Sequence, residues 1–507
     1  MVMSEEIGRK IPNVMGSQHP DNARAPFFQK SPMVNSFNEM KEAYEDFKTL
    51  DTDESMWDWE GKYADGTVLD HLIADHYDFF KKHPLGKDKF LTFRFPNIWQ
   101  EPGYNIMQAM TTMLTAEDFT HDLHFNRPSI EAILPMTQNA KQIIITQEKF
   151  ESLAKYKTES FSKGHYKNNP YIGMIPLFEN FDVQLSIPKI LTDYIKMYHE
   201  HFHRHLKYMR VFLACSDTAL GNGFLNSILG NKIALTRIGQ FSHQIHMPIF
   251  PIAGSGSTIF RGGLSPVRID RYTREYPGLK TATAQSAFRY DYPLERVVKP
   301  AIKHLRHNLQ HNDFQVIPKA DEKTLIKIAK ESSIEYHKTL DPLVKDLQPV
   351  FSSFPKRRYR HPTVGILSYS RDVDGFKMPR AITYSGSFYS VGIPPEILGV
   401  GKTLAKLSDH EKAVLMKYYP DMKADFELLM HYFSQSALNE LEAKNSAWKE
   451  VEKDVQGITK TFGIQPGPKN SSEAKECQLA SELINATDSK TITWLINRQG
   501  LLRHFLG

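Results

Sequence analysis

The chain has 507 residues, 41% hydrophobic and 24% charged, a balance that supports a substantial core and excludes fibrous and disordered classes. Its formal charge is only +5, from 63 Lys and Arg against 58 Asp and Glu, which suits a small anionic ligand and argues against nucleic acid. No apolar run is long enough to span a membrane, the start MVMSEEIGRKIPNVMG lacks a signal-peptide core, and the 2 cysteines, Cys215 and Cys477, make no disulfide framework, so a cytoplasmic protein is expected.

In chain order, short apolar runs end again and again in polar or ionisable residues. They are Pro12–His19 (PNVMGSQH), Phe90–Arg94 (FLTFR), Ile130–Thr137 (IEAILPMT), Ile172–Glu179 (IGMIPLFE), Val211–Asp217 (VFLACSD), Ile249–Gly254 (IFPIAG) and Lys280–Phe288 (KTATAQSAF). Continuous apolar runs of this length read as strands buried on both faces, as in parallel sheets. Helical patterns fall between them, for example Pro188–Met209, where the proline suits a first helical turn. Seven or eight such units predict an α/β fold, a (β/α)8 TIM-like barrel with its functional groups at the C-terminal strand ends.

From about Asp321 the pattern becomes helical, over Leu325–Val350 and Ser408–Val455, with Phe426, Leu429, Met430 and Phe433 on one face. Ile464–Glu473 (IQPGPKNSSE) reads as a loop. The expectation is a single catalytic unit over 1–507, with the barrel core at about 11–300 plus 360–403 and helical elaborations at about 321–355 and 404–507.

Three motifs invite functional readings that the surrounding sequence weakens. His199-Glu200-His201-Phe202-His203 fits the zinc-protease pattern, but its flanks, KMYHEHFHRHLKYMR, are those of a solvated helix. Gly399-Val400-Gly401-Lys402-Thr403 resembles the end of a P-loop, yet Glu396 stands where the first glycine belongs. The basic run Lys356-Arg357-Arg358-Tyr359-Arg360-His361 reads first as a solvated loop and second as an anion site.

The strand ends carry the chemistry. They bring His19, Glu179 and Asp217, followed by Arg261 after the small-residue run Gly254-Ser255-Gly256-Ser257 and before Gly262-Gly263; Arg94, Arg371, Lys377 and Arg380 add cationic groups. Two carboxylates on adjacent strands suit one hard divalent cation, because Mg²⁺ takes one or two protein carboxylates and completes its shell with water and substrate oxygens. Small residues let backbone N–H groups approach a phosphoryl group, and arginines grip carboxylate and phosphate oxygens in bidentate fashion. Another Mg²⁺-dependent barrel lyase or aldolase, and a non-catalytic anion-binding regulator, fit the same residues less completely.

The motifs Gln18-His19-Pro20-Asp21-Asn22, Trp57-Asp58-Trp59-Glu60-Gly61-Lys62 and Phe260-Arg261-Gly262-Gly263-Leu264 resemble the archaeal-type phosphoenolpyruvate carboxylases. More distantly, Pro176-Leu177-Phe178-Glu179, Ser216-Asp217-Thr218, Arg380-Ala381-Ile382 and Leu398-Gly399-Val400-Gly401 follow the motif order of the larger bacterial and plant enzymes. The resemblance runs from about Ile11 to Thr403 and implies a barrel of the phosphoenolpyruvate/pyruvate type. It implies phosphoenolpyruvate and bicarbonate as substrates, Mg²⁺ (or Mn²⁺) on Glu179 and Asp217, and His19 as the base. It further implies Arg261 at the phosphoryl group, Arg94, Arg371, Arg380 and Lys377 as anchors, and a homotetramer. Where the large enzymes have His-Gly-Arg-Gly-Gly, this chain has Ala253-Gly254-Ser255-Gly256-Ser257, and it ends His504-Phe505-Leu506-Gly507 instead of in Asn-Thr-Gly. Weak or absent inhibition by aspartate is the expectation from these departures.

Overall fold

Strand residues point alternately to opposite faces, so a barrel strand must supply one set of side chains to the interior and another to the surrounding helices. In this computed structural model, which describes residues 8–60, 64–100, 103–161, 169–359, 372–373 and 376–507 (backbone alone at 372–373 and 376–377), eight parallel strands close into such a barrel in sequence order. They are β1 (Val14–Ser17), β2 (Glu54–Asp58), β3 (Phe90–Arg94), β4 (Glu131–Leu134), β5 (Gly173–Phe178), β6 (Met209–Ala214), β7 (Ile249–Gly254) and β8 (Thr281–Ala284). β8 pairs back onto β1, with Val14 opposite Ala282.

On β6 the alternation is plain. Val211 and Leu213 belong to the large core shared with the helices, whereas Phe212 and Ala214 join Met15, Met56, Ile133, Ile175, Leu177 and Ile252 in a separate cluster inside the barrel. Below that apolar plug lies a charged floor. Arg210 donates to Glu54 (2.6 and 2.8 Å) and to Glu131 (3.1 Å), and Thr92 donates to Glu54 as well. Above it, the next inward positions open at the C-terminal mouth.

β2 is the strand that the apolar pattern misses. Its inward positions Glu54 and Asp58 are charged, and they are accommodated by Arg210 and Arg94 rather than by apolar neighbours. The helix expected over Pro188–Met209 runs Ile187–Phe202 and stops where His203 takes a left-handed conformation (φ 51); Met209 instead opens β6. All eight strands lie between Val14 and Ala284. In the later stretch expected to join the barrel, residues 360–371 are outside the described residues, and Ala381–Ser390, Pro395–Ile397 and Val400–Lys406 are helical. The first of these packs against the short helix Ser216–Asn222 at the mouth of the barrel. The C-terminal helices bury Phe426, Leu429, Met430 and Phe433, as their common face predicts.

The basic run is not solvated at its centre. Arg357 and Arg358 are 5% and 4% exposed; Arg358 Nη2 donates to both oxygens of Glu42 (2.7 and 2.9 Å), and Arg357 donates to the Asn22 carbonyl (2.9 Å). Arg360 and His361 lie outside the described residues. The P-loop-like turn holds a protein carboxylate: Gly399 N and Lys402 N each donate to Asp454 at 2.8 Å. His199, His201 and His203 are exposed, and His201 pairs with Glu148 at 3.0 Å.

Candidate active site

The inward alternation that fills the barrel determines what its mouth presents. On β5, Ile175 and Leu177 point inward and Glu179 is the next such position; on β3, Arg94 follows Thr92. Asp217 lies in the first turn of the helix Ser216–Asn222 just beyond β6. A cavity of about 70 Å³ at this mouth is lined by His19, Glu60, Arg94, Glu179, Ser216, Asp217, Gly254, Arg261, Gln285 and Arg380. Six of the residues expected from sequence to bear the chemistry therefore share one wall. Arg371 and the Lys377 side chain lie outside the described residues. A wider cleft, about 1240 Å³, lies on the far side of the Gly/Ser loop and includes neither His19, Glu179 nor Asp217.

His19 is held from its own strand, with Ser17 Oγ 3.0 Å from Nδ1. Arg94 is clamped by β2: Nε and Nη2 donate to the two Asp58 oxygens (2.9 and 2.8 Å), and Nη1 lies 2.9 Å from Glu60. Crowding by protein atoms, then the Glu60 carboxylate, push the Asp217 carboxyl above its ordinary range; Arg380, Arg94 and Arg261 pull it back.

The Gly/Ser loop is built around Arg261. Its guanidinium lies over Gly256, where a Cβ would sit 2.5 Å from Arg261 Cζ. Gly262 follows at φ 104, a conformation that favours glycine, and a Cβ there would meet Ser255 Oγ at 2.8 Å. The loop N–H groups are largely used inside the fold: Ser255 N on Thr283 Oγ1 (3.0 Å), Gly256 N on the Arg261 carbonyl (2.6 Å), Gly262 N on Ile259 (3.0 Å) and Gly263 N on Thr258 (2.8 Å). Ser257 N faces Asp21 at 3.4 Å. Of the small residues expected to cradle a phosphate, Gly254 alone lines the cavity, and the loop's contribution to it is chiefly the arginine.

Arg261 is 1% exposed. Nε donates to Ser216 Oγ (3.2 Å), Nη1 to Asp21 (3.0 Å) and to a main-chain oxygen of Gly507 (2.7 Å), and Nη2 to Gln285. Among the described residues these contacts occupy four of the five guanidinium N–H groups and leave one on Nη2 for a ligand. Asp21 also accepts from Ala287 N at 2.7 Å, so one carboxylate joins the His19 segment, the loop and the helix after β8.

Sequence reasoning named neither Glu60, Gln285 nor Asp21 as site residues. Glu60 and Asp21 lie within the motifs that carried the family resemblance; Gln285 directly follows the β8 run.

A family model described as phosphoenolpyruvate carboxylase matches residues 11–507. The chain belongs to the phosphoenolpyruvate carboxylase family. It is similar to the phosphoenolpyruvate carboxylase of Oenococcus oeni, at 55% identity over 99% of this chain and 100% of the relative. The phosphoenolpyruvate carboxylase of Leuconostoc mesenteroides is 52% identical over 98% of this chain and 99% of its own length. The similarity extends to the Pyrococcus abyssi enzyme of that name, at 34% identity over 88% of this chain and 94% of the relative.

The donor set is suited to a divalent cation of the hard kind. Glu179 and Asp217 bring carboxylate oxygens to one cavity, and no cluster of three or more His, Cys, Asp or Glu fit for a metal occurs among the described residues. No described helix is long and apolar enough to cross a membrane.

Proposed function

We propose that the chain carboxylates phosphoenolpyruvate with bicarbonate, giving oxaloacetate and phosphate through carboxyphosphate and the enolate of pyruvate. The observation that carries the reading is the single cavity at the barrel mouth, where His19, Arg94, Glu179, Asp217, Arg261 and Arg380 meet in a member of this family. Glu179 and Asp217 would hold Mg²⁺, with Mn²⁺ as the alternative. When bound, the cation supplies positive charge to phosphoryl and enolate oxygens.

The protein's own groups do the rest. Arg261 turns its remaining N–H toward the transferring phosphoryl group, where positioning and electrostatics dominate the barrier. Its rigid frame of Asp21, Gln285, Ser216 and Gly507 supports the preorganisation that makes such a donor effective. Arg380 and Arg94 anchor the substrate's anionic groups, and Arg371 and Lys377 complete the set implied by the resemblance. His19, fixed through Nδ1, uses Nε2 to take the carboxyl proton of carboxyphosphate as it breaks down to CO₂ and phosphate. The Gly254–Ser257 run and Gly262-Gly263 serve this site by shaping the loop around Arg261.

We read the chain as one catalytic unit that works in the cytoplasm, a setting in keeping with two free thiols, and that assembles as a homotetramer. Light scattering on the purified protein tests the assembly. For the function, oxaloacetate is measured with phosphoenolpyruvate and Mg²⁺, with and without bicarbonate. Product that depends on bicarbonate supports the reading, and phosphate release without any oxaloacetate in the wild-type protein overturns it.

A further inference from the structure

The turn that carries Arg261 is held at a second place, from outside the barrel. Glu396, in the short turn Pro395–Ile397, is fully enclosed. Its Oε1 accepts from Phe260 N at 2.6 Å and from the Tyr389 hydroxyl at 2.9 Å. Its Oε2 is buried and has no hydrogen-bond partner among the described residues. Phe260 immediately precedes Arg261 in the 3-10 turn Ile259–Arg261, whose first internal bond runs from Arg261 N to the Thr258 carbonyl at 3.0 Å. The Phe260 N–H is thus one of the donors that a helical turn cannot satisfy itself, and Glu396 supplies the missing acceptor.

A carboxyl is an expensive choice for this job. Enclosing it costs more than enclosing an amide or a hydroxyl unless it is well paired. Here one oxygen makes both hydrogen bonds. The ring of Phe260 lies 5.3 Å from that of Tyr384, whose hydroxyl is bonded to Tyr336 (2.9 Å), and Tyr336 in turn donates to the Leu220 carbonyl (3.0 Å) in the helix Ser216–Asn222 that carries Asp217. The Glu396 contact therefore joins a chain of groups that sets the loop against the carboxylate side of the cavity.

We propose that Glu396 is a positioning residue for the reaction: by holding the Phe260 N–H it fixes the turn from which Arg261 reaches over Gly256 into the cavity. The inference rests on the assignment of Arg261 to the phosphoryl group made above. Burial raises the Glu396 carboxyl to about 7, while the hydrogen bonds from Phe260 N and Tyr389 and the positive charge of Arg268 act in the opposite direction. Tyr389, hydrogen-bonded to it, and the more distant charge of Arg268 are the ionisable groups that act on it most.

The test compares E396A, E396Q and, as a control on the premise, R261S, by kcat and KM for phosphoenolpyruvate at saturating Mg²⁺ and bicarbonate, with thermal unfolding alongside. E396A should lose about 10- to 100-fold in kcat, the scale of a displacement near 1 Å, with KM moved by less than about threefold. E396Q keeps an amide oxygen for Phe260 N and should recover most of that loss. A folded E396A within about twofold of wild-type kcat overturns the proposal. So does an equal kcat loss in E396A and E396Q, which would mark a role in stability alone. Should E396A fail to fold, E396D takes its place, since its shorter side chain withdraws the acceptor from Phe260 N: a kcat loss of about 10-fold or more beside near-normal E396Q supports the proposal, and a folded E396D within about twofold of wild type overturns it. Phosphate release persisting in R261S removes the premise instead, whereas an inactive R261S beside a normal E396A removes the positioning role only.

Discussion

Replacing Gly256 by alanine acts on Arg261 without touching its charge. The added methyl carbon would sit 2.5 Å from Cζ, 2.6 Å from Nη1 and 2.8 Å from Nη2. Gly256 is not in the left-handed region, so alanine brings no backbone strain, and the loop backbone has little reason to yield. Carbon atoms in contact settle at about 3.5 Å, so the guanidinium must retreat by about 1 Å. Such a retreat stretches the bonds to Asp21 (3.0 Å) and Ser216 (3.2 Å) and withdraws the remaining N–H from the cavity. A displacement of that size at a reacting group costs about 10²-fold in rate, equivalent to about 2.7 kcal/mol in the barrier. The assay is oxaloacetate formation followed by coupled reduction, with kcat and KM read separately and the melting temperature measured on the same preparation. A folded Gly256→Ala enzyme with wild-type kcat would refute the claim that the place of Arg261 over Gly256 matters to the reaction.

Three further outcomes are expected. His19→Asn should still cleave phosphoenolpyruvate, about 10²- to 10⁴-fold more slowly, and release pyruvate where wild type releases oxaloacetate; oxaloacetate as its main product at near wild-type rate would remove His19 as the base. Asp217→Asn should leave the fold intact, raise the Mg²⁺ concentration needed for activity and sharply reduce turnover; an unchanged Mg²⁺ titration would contradict the two-carboxylate assignment. Burial holds the Glu396 carboxyl at about 7 in the folded protein, above the ordinary value of about 4.3 for an unfolded chain. Across that window the native state keeps a proton that the unfolded state has released, so this contribution to stability is complete at the acid end and is lost as pH rises. The melting temperature of E396Q minus that of wild type should therefore increase from about pH 5 to pH 8, and a pH-independent difference would show that Glu396 does not titrate there.

Most of the barrel was legible because seven of its strands announce themselves as apolar runs ending in polar groups. β2 was not, since Glu54 and Asp58 make it look like surface, and what neutralises Glu54 is Arg210, 156 residues further along the chain. The basic run misled for the same reason: Arg358 is buried against Glu42, 316 residues away, and nothing local reveals such a partner. That His19, Glu179 and Asp217 lie at the mouth could be read from sequence because each follows a strand closely. Glu60, Asp21 and Gln285 could not, because the roles they play are contacts with Arg94 and Arg261 that exist only once the barrel has closed. The N–H groups expected to face a phosphate could be located in sequence, but not the internal acceptors that engage them.

The charged floor of the barrel has a consequence for how relatives of this chain can diverge. Glu54, Glu131 and Arg210 come from β2, β4 and β6, and each is the counter-charge of another. Arg9 also belongs to the set, 2.7 Å from Glu131. Losing Arg210 strands Glu54 at a cost of about 3–5 kcal/mol, a large share of a domain's whole stability, whereas exchanging all four for apolar side chains of like volume would be nearly neutral. Mutational drift at these positions is thus confined to coordinated steps. Across diverged sequences the Arg210 site should keep its charge wherever Glu54 keeps its own, and loss of Glu131 should be accompanied by loss of the Arg9 charge.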